Sequence, residues 1–214
     1  MGWLSPALEP NRNRLGAAIY RDPLMPSSDC ELITSGFLGQ PVNTLTTLAF
    51  VIVGLVVARR GSLRWVGIAL IATGVGSFLF HGPMPPGSLW AHDVSLVWLI
   101  VVVAGLGQTW ERWTRFPGLI SIGLVLALVP GAADVLAVAA TAAAGVLHLR
   151  RRSPGTVVAL VSLGAVAVFG RLGATGGPLC DPSSIFQPHG VWHVGAAAIV
   201  GWWVYTLADI GLPE

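Results

Sequence analysis

Charge is what this sequence has least of. Only 10% of its 214 residues are Asp, Glu, Arg or Lys, against the roughly 25% with which a soluble domain keeps its surface wet. Beside 54% hydrophobic residues, so little charge excludes a water-soluble globular fold of this size. Lysine is absent altogether, so all twelve basic residues are arginines, a bias that points to genome composition and not to a function. The net charge of +2 is too small and too scattered for a nucleic-acid partner. Residues 1–29 lack any apolar run: Pro6, Pro10, Pro23 and Pro26 lie among arginines and acids. No cleavable signal peptide is read there, and the first transmembrane helix is expected to direct insertion. No repeat or low-complexity segment stands out beyond an alanine-rich stretch near residue 140.

What the chain does have is apolar sequence spread along its length, in segments near the roughly 20 residues that a hydrocarbon core of about 30 Å requires. Seven are read: 43–58, 65–80, 89–107, 119–129, 133–149, 156–172 and 191–207. The expected fold class is therefore all-α, a seven-transmembrane helix bundle over 43–214 preceded by an extramembrane segment over 1–42. The fourth segment is the weakest, being short and bounded by Pro117 and Pro130. Arginine sets the orientation. Arg59, Arg60 and Arg64 follow the first segment, Arg112 and Arg115 the third, and Arg150, Arg151 and Arg152 the fifth. These loops are expected in the cytoplasm, which puts the N-terminus outside and the C-terminus inside. The intervening loops carry no arginine except Arg171 at the edge of one, while Arg12, Arg14 and Arg21 run against the pattern. The location this implies is a bacterial inner membrane.

Ionisable groups at membrane depth are costly and usually functional, so their level matters. His81 ends the second segment on the outer side, His92 and Asp93 open the third, and His189 and His193 open the seventh. All converge on one face. His189 and His193, four residues apart, share one side of a helix, and His81 completes a set of three. Three histidines are a zinc-ligand set that keeps a fourth position open for water, lowers that water's pKa to near 7 and so suits catalysis. Ser77 lies one turn before His81 and is placed to donate to a substrate oxyanion. Asp93, at the same level, is a candidate to take a proton or to orient a histidine. Each residue also has a plainer reading: an interfacial histidine pair, or a serine bonded to its own helix backbone. His92 is read as interfacial or as a support to a ligand, and His148, beside Arg150 to Arg152, as a residue of the cytoplasmic surface. Asp134 and Asp209 are read as solvated at helix ends. Trp90, Trp98, Trp110, Trp113, Trp192, Trp202 and Trp203 are read mostly as interfacial belts or lipid contacts. Cys30 and Cys180 both fall on the outer side, where a disulfide or two reduced thiols fit.

The run Ser77-Phe-Leu-Phe-His81, then Asp93, then His189-Gly-Val-Trp-His193 resembles the S-x-x-x-H, D, H-x-x-x-H pattern of the CREST superfamily of membrane hydrolases. Asp29-Cys30-Glu31 followed by Gln40-Pro41-Val42-Asn43-Thr44 is similar to the alkaline ceramidase branch, which reads D-W-C-E and then E-F-x-N-T. The match covers nearly the whole chain in motif order. It implies zinc on His81, His189 and His193, Asp93 as general acid and base, and Ser77 assisting the oxyanion. The implied reaction cleaves the amide of a ceramide-like membrane lipid, its acyl chain lying between helices, to a fatty acid and a sphingoid base. A Cys30–Cys180 bridge is implied as well. So is a calcium ion near Asp29 and Glu31, but Gln40 stands where the family has a glutamate and Ser28 where it has an aspartate. Alternatives from other classes are a receptor or transport-type protein with structural zinc, a hydrolase of other acyl lipids, and a bis-histidine haem protein.

Overall fold

The computed structural model describes residues 29–209 apart from 152 and 154. The expected extramembrane segment up to Ser28, with Arg12, Arg14 and Arg21, lies outside the described residues, as does Arg152. Among the described residues the chain is all-helical. Pro41–Thr46 (α1) and Leu48–Ala58 (α2) meet at Thr47, followed by Arg64–His81 (α3), Ser88–Gly105 (α4), the single turn Glu111–Thr114 (α5), Phe116–Leu128 (α6), Ala133–Arg150 (α7), Thr156–Leu172 (α8) and Pro188–Ala208 (α9).

Runs rich in Val, Ile and Leu favour strands in water. Inside a bilayer a helix satisfies every backbone group within its own segment, and that constraint overrides the propensity. Five stretches are long and apolar enough to cross a membrane: Pro41–Ala58, Gly61–His81, Ser88–Gly105, Pro130–Arg150 and Pro188–Ala208. Two apolar helices are shorter. At 1.5 Å per residue, the 13 residues of α6 reach about 20 Å and the 17 of α8 about 26 Å, against a hydrocarbon core of about 30 Å. Pro117 is in the first turn of α6, where its missing N–H has no intrahelical partner to lose. The seventh segment starts at Pro188, three residues before the sequence reading places it, so His189 is already helical.

Helices α2, α3, α4, α7, α8 and α9 pack in that order as a ring that closes between α9 and α2, while α6 lies outside against α4. The outward faces are apolar: Leu128 is 81% exposed, and Val135 and Val138 are each 70% exposed. So large a continuous apolar surface suits lipid and not water. One close approach matters for the site. A Cβ on Gly76 would come within 2.6 Å of the Ser95 hydroxyl and 2.8 Å of the Ala91 carbonyl. Glycine there lets the end of α3, with Ser77 and His81, press against the start of α4, with His92 and Asp93.

The bundle has two unlike ends. At one, Arg60 pairs with Asp209 at 2.7 Å, the Arg115 guanidinium covers Trp65, and Arg151 donates to the Gly107 carbonyl and to Gln108. The loops that carry the arginines therefore lie together. At the other, the Leu32 amide donates to Pro182, the Gly39 amide to Gly82 and the Gln40 amide to His81. Two sequence readings are corrected. His148 is 1% exposed and not a surface residue: its Nε2 donates to the Val103 carbonyl at 2.8 Å, and its ring meets Trp203 edge to face. Trp98 and Trp203 are buried and not interfacial. Their indole N–H groups donate to the Thr114 carbonyl and the Thr156 hydroxyl, partners that buried indoles require. Asp209 lies solvated at a helix end as read, and pairs there with Arg60.

Candidate metal centre

Glu31 begins the site. Its carboxylate is buried at the N-terminus of α1, where Oε1 accepts from the Val42 amide at 2.7 Å and Oε2 from the Asn43 amide at 2.8 Å. Pro41 opens this helix, so the first free N–H groups are met by one anion at the positive end of the helix dipole. Burial pushes the Glu31 carboxyl pKa up, and the Asn43 and Val42 amides pull it back. Cys30 is bonded to Cys180, and its own amide donates to the Thr175 hydroxyl. Cys30 adopts a left-handed backbone at φ 75°, a conformation that costs a non-glycine residue about 1–2 kcal/mol. The disulfide and Thr175 hold it there. The segment before α1 is thereby tied to the loop before α9.

Beneath this strap lie the three histidines. His81 and His193 are 0% and 2% exposed, and His189 is partly buried. One ring nitrogen from each of the three lies within 4.8 Å of the others. The division of labour between the two nitrogens of each ring is consistent. His81 Nδ1 donates to Gln40 Oε1 at 2.6 Å. His193 Nδ1 meets the Thr46 hydroxyl at 3.1 Å. His189 Nδ1 faces Asp29 Oδ1 at 3.7 Å, and the other Asp29 oxygen lies 3.9 Å from His81 Nδ1. Those last separations are too long for hydrogen bonds, but they hold a negative charge behind two rings at once. By contrast His189 and His193 each have a buried Nε2 with no hydrogen-bond partner. A buried polar atom left unmet is rare, and two such atoms beside His81, with a ring nitrogen of each histidine within 4.8 Å of the others, make a group that could hold a metal ion.

The remaining candidates surround this set. Ser77 is 2% exposed and one turn below His81 on α3. Asp93 Oδ1 lies 2.9 Å from His92 Nδ1, and the His92 ring is 6.2 Å from that of His81. His92 thus stands between Asp93 and His81 as a neighbour of the centre, which favours the supporting role of the two readings that the sequence left open. Gln40, Thr46 and Asp29 as partners of the rings were not foreseen, although the spacing of Asp29 and Gln40 in the motif put both near the first helix. Their signal was visible only as polar residues opening an apolar segment.

Two hollows adjoin the centre. An apolar cavity of about 690 Å³ runs inside the ring, with Phe50 and Trp192 at the histidine end, and exposed Val138, Val146 and Ala167 at a side opening between α7 and α8. A smaller one of about 330 Å³ is lined by Asp29, His189, Arg171 and Trp192, and it shares Ala167 and Trp192 with the first. A greasy chamber therefore meets, at Ala167 and Trp192, a smaller hollow that reaches Asp29 and His189. No protein-family model matches this chain, and no curated protein matches it either. The centre has to speak for itself.

Proposed function

We propose that the protein is a multi-pass membrane hydrolase that uses zinc on His81, His189 and His193 to cleave the amide of a ceramide-like lipid. The observation that carries this reading is the convergence of one ring nitrogen from each of the three histidines within 4.8 Å, where the Nε2 atoms of His189 and His193 are buried without a hydrogen-bond partner and His81 and His193 are held through Nδ1 by Gln40 and Thr46. Three imidazole nitrogens on a tetrahedral zinc stand roughly 3.3 Å apart at bonds of about 2.0–2.1 Å, so a small inward turn of the rings from the observed spacing seats the ion. When bound, zinc supplies a Lewis acid and lowers the pKa of a coordinated water toward neutrality.

The side chains divide the rest of the work. Water adds its oxygen to the carbonyl carbon, the C–N bond breaks, and a fatty acid and an amine leave. Ser77 donates to the carbonyl oxygen as it gains negative charge. Asp93 takes the proton given up by water and returns it to the leaving nitrogen, with His92 holding its carboxylate in place. The acyl chain enters from the bilayer between α7 and α8 and lies in the apolar cavity. The resemblance to the ceramidase branch of the CREST superfamily supports an amide as the bond cleaved. In this reading seven helices span, α6 and α8 by local thinning of the bilayer. The N-terminus is outside and the C-terminus cytoplasmic, and the histidine end faces the periplasm of a bacterial inner membrane. No calcium is assigned, because both Glu31 oxygens serve the start of α1 and Asp29 faces the histidines. Nitrogens this close leave no room for a haem between them, which argues against that alternative.

Metal analysis of detergent-purified protein by mass spectrometry, beside fatty-acid release from ceramides and matched ester lipids, tests the reading in wild type and His193→Ala. About one zinc per chain with amide turnover, both lost in the variant, is the expected result. Zinc without turnover on any lipid moves the reading to a receptor or transport-type protein with structural zinc, turnover of esters alone to a hydrolase of other acyl lipids, and absence of zinc removes it.

A further inference from the structure

Asn43 is the most anomalous polar residue of the bundle. It is 0% exposed, and neither its Oδ1 nor its Nδ2 has a hydrogen-bond partner. Other buried orphans among the described residues are partial. Gln108 still accepts from Arg151, Arg115 still donates to Glu111, and Gln187 still donates to the Asp181 and Ser184 carbonyls. Asn43 alone leaves a whole carboxamide unmet. Folding does not bury such a group without loss, so its role is to be sought in what binds.

Helix geometry says where it points. Besides the following α2, α1 packs against α9 and α3, the two helices that carry the three histidines. Val42 and Thr46 face α9 at Gly190, whereas Thr44 and the Thr47 carbonyl face α3 at Gly82 and Gly74. Residue 43 falls angularly between those two faces, above Phe50 two turns on. Phe50 in turn meets the His193 ring edge to face and lines the apolar cavity. Asn43 therefore projects into the wedge between α3 and α9, the helices that carry the histidines, on the face of α1 that continues to Phe50 and the cavity it lines.

Building on the proposed hydrolase, we infer that Asn43 is a substrate-binding residue whose Nδ2 donates to the scissile carbonyl oxygen, opposite Ser77, and whose Oδ1 accepts a hydroxyl or N–H from the amine side of the lipid. The donor tightens as the carbonyl oxygen becomes negative, which makes the contribution catalytic. The amide stays unmet until substrate arrives.

Asn43→Leu, which keeps size and removes both polar atoms, tests this through two readouts, with Asn43→Asp keeping the acceptor alone. In Asn43→Leu the melting temperature of the ligand-free protein holds or rises by about 2–4 °C, because an unmet polar pair is gone. Zinc content is unchanged, and kcat for a C16 ceramide falls on the order of 10²–10³-fold. Asn43→Asp falls comparably in kcat. A lower melting temperature in Asn43→Leu shows that the carboxamide has a structural partner and overturns the inference, as does wild-type turnover in either variant. If wild type itself turns nothing over, the hydrolase reading has failed first, and the melting temperature still decides whether Asn43 is held in reserve for a ligand.

Discussion

Both ends of the bundle bury histidine, but they use the same atom in opposite ways. At the arginine end, His148 Nε2 is committed to the Val103 carbonyl, so the ring joins α7 to α4 and has no free lone pair to offer. At the other end, Nδ1 is the engaged atom of His81 and His193 and faces Asp29 in His189, while Nε2 of His189 and of His193 has no hydrogen-bond partner. Burial is the same in kind, and so is aromatic company: Trp203 beside His148, Phe50 beside His193. Which nitrogen is occupied separates a histidine that fastens two helices from one that could hold an ion. The surrounding charge follows the same division, with the arginines gathered at one end, Arg171 excepted, and Asp29, Asp93 and Glu31 at the other.

The comparison breaks most visibly if the two kinds of histidine are exchanged. His189→Ala is expected to lose zinc beyond detection by mass spectrometry, while His148→Ala keeps one zinc per chain. The second variant instead leaves the Val103 carbonyl without its donor, a loss of about 1–3 kcal/mol visible as a lower melting temperature. Zinc retained in His189→Ala, or lost in His148→Ala, ends the distinction. A smaller effect is expected one atom further out. Gln40 holds His81 in the tautomer that presents Nε2, and removal of such a partner weakens metal affinity by about 10–100-fold. Gln40→Leu should show this in competition with a zinc chelator, and Gln40→Glu, which keeps an acceptor, should recover most of it. Equal affinity in Gln40→Leu and wild type would leave the ring oriented by packing alone.

The helices were legible because apolar runs are bounded by Arg, Gly and Pro: every segment read from the sequence ends within 3 residues of a helix boundary. His189 and His193 were legible as a pair because their spacing is that of one helical turn. What stayed hidden is whatever depends on contacts between distant segments. Gln40 reaches His81 across 41 positions and Thr46 reaches His193 across 147, and nothing local to either polar residue announces it. His148 was misread for the same reason. Its arginine neighbours mark a membrane edge, but the carbonyl that draws it inside lies 45 residues away in α4. In the sequence Asn43 is only a motif residue at the start of the first segment, because its anomaly is a missing partner, and a missing partner has no signature in sequence.

The smallest effect belongs to the arginine end and sets the floor of the comparison. Arg60 and Asp209 make the shortest ion pair there, at 2.7 Å, yet their side chains are 37% and 68% exposed. Water and salt screen such a pair, and two flexible side chains lose rotamer freedom to form it, so its net worth is about 0–1 kcal/mol. Asp209→Asn should therefore shift the melting temperature by less than the His148→Ala change and leave zinc content alone, with the shift vanishing at high salt. A larger, salt-independent loss would mean that the C-terminal turn of α9 is pinned through Arg60. The arginine end would then be a second rigid constraint on the helix that carries His189 and His193, and its separation from the metal centre would no longer hold.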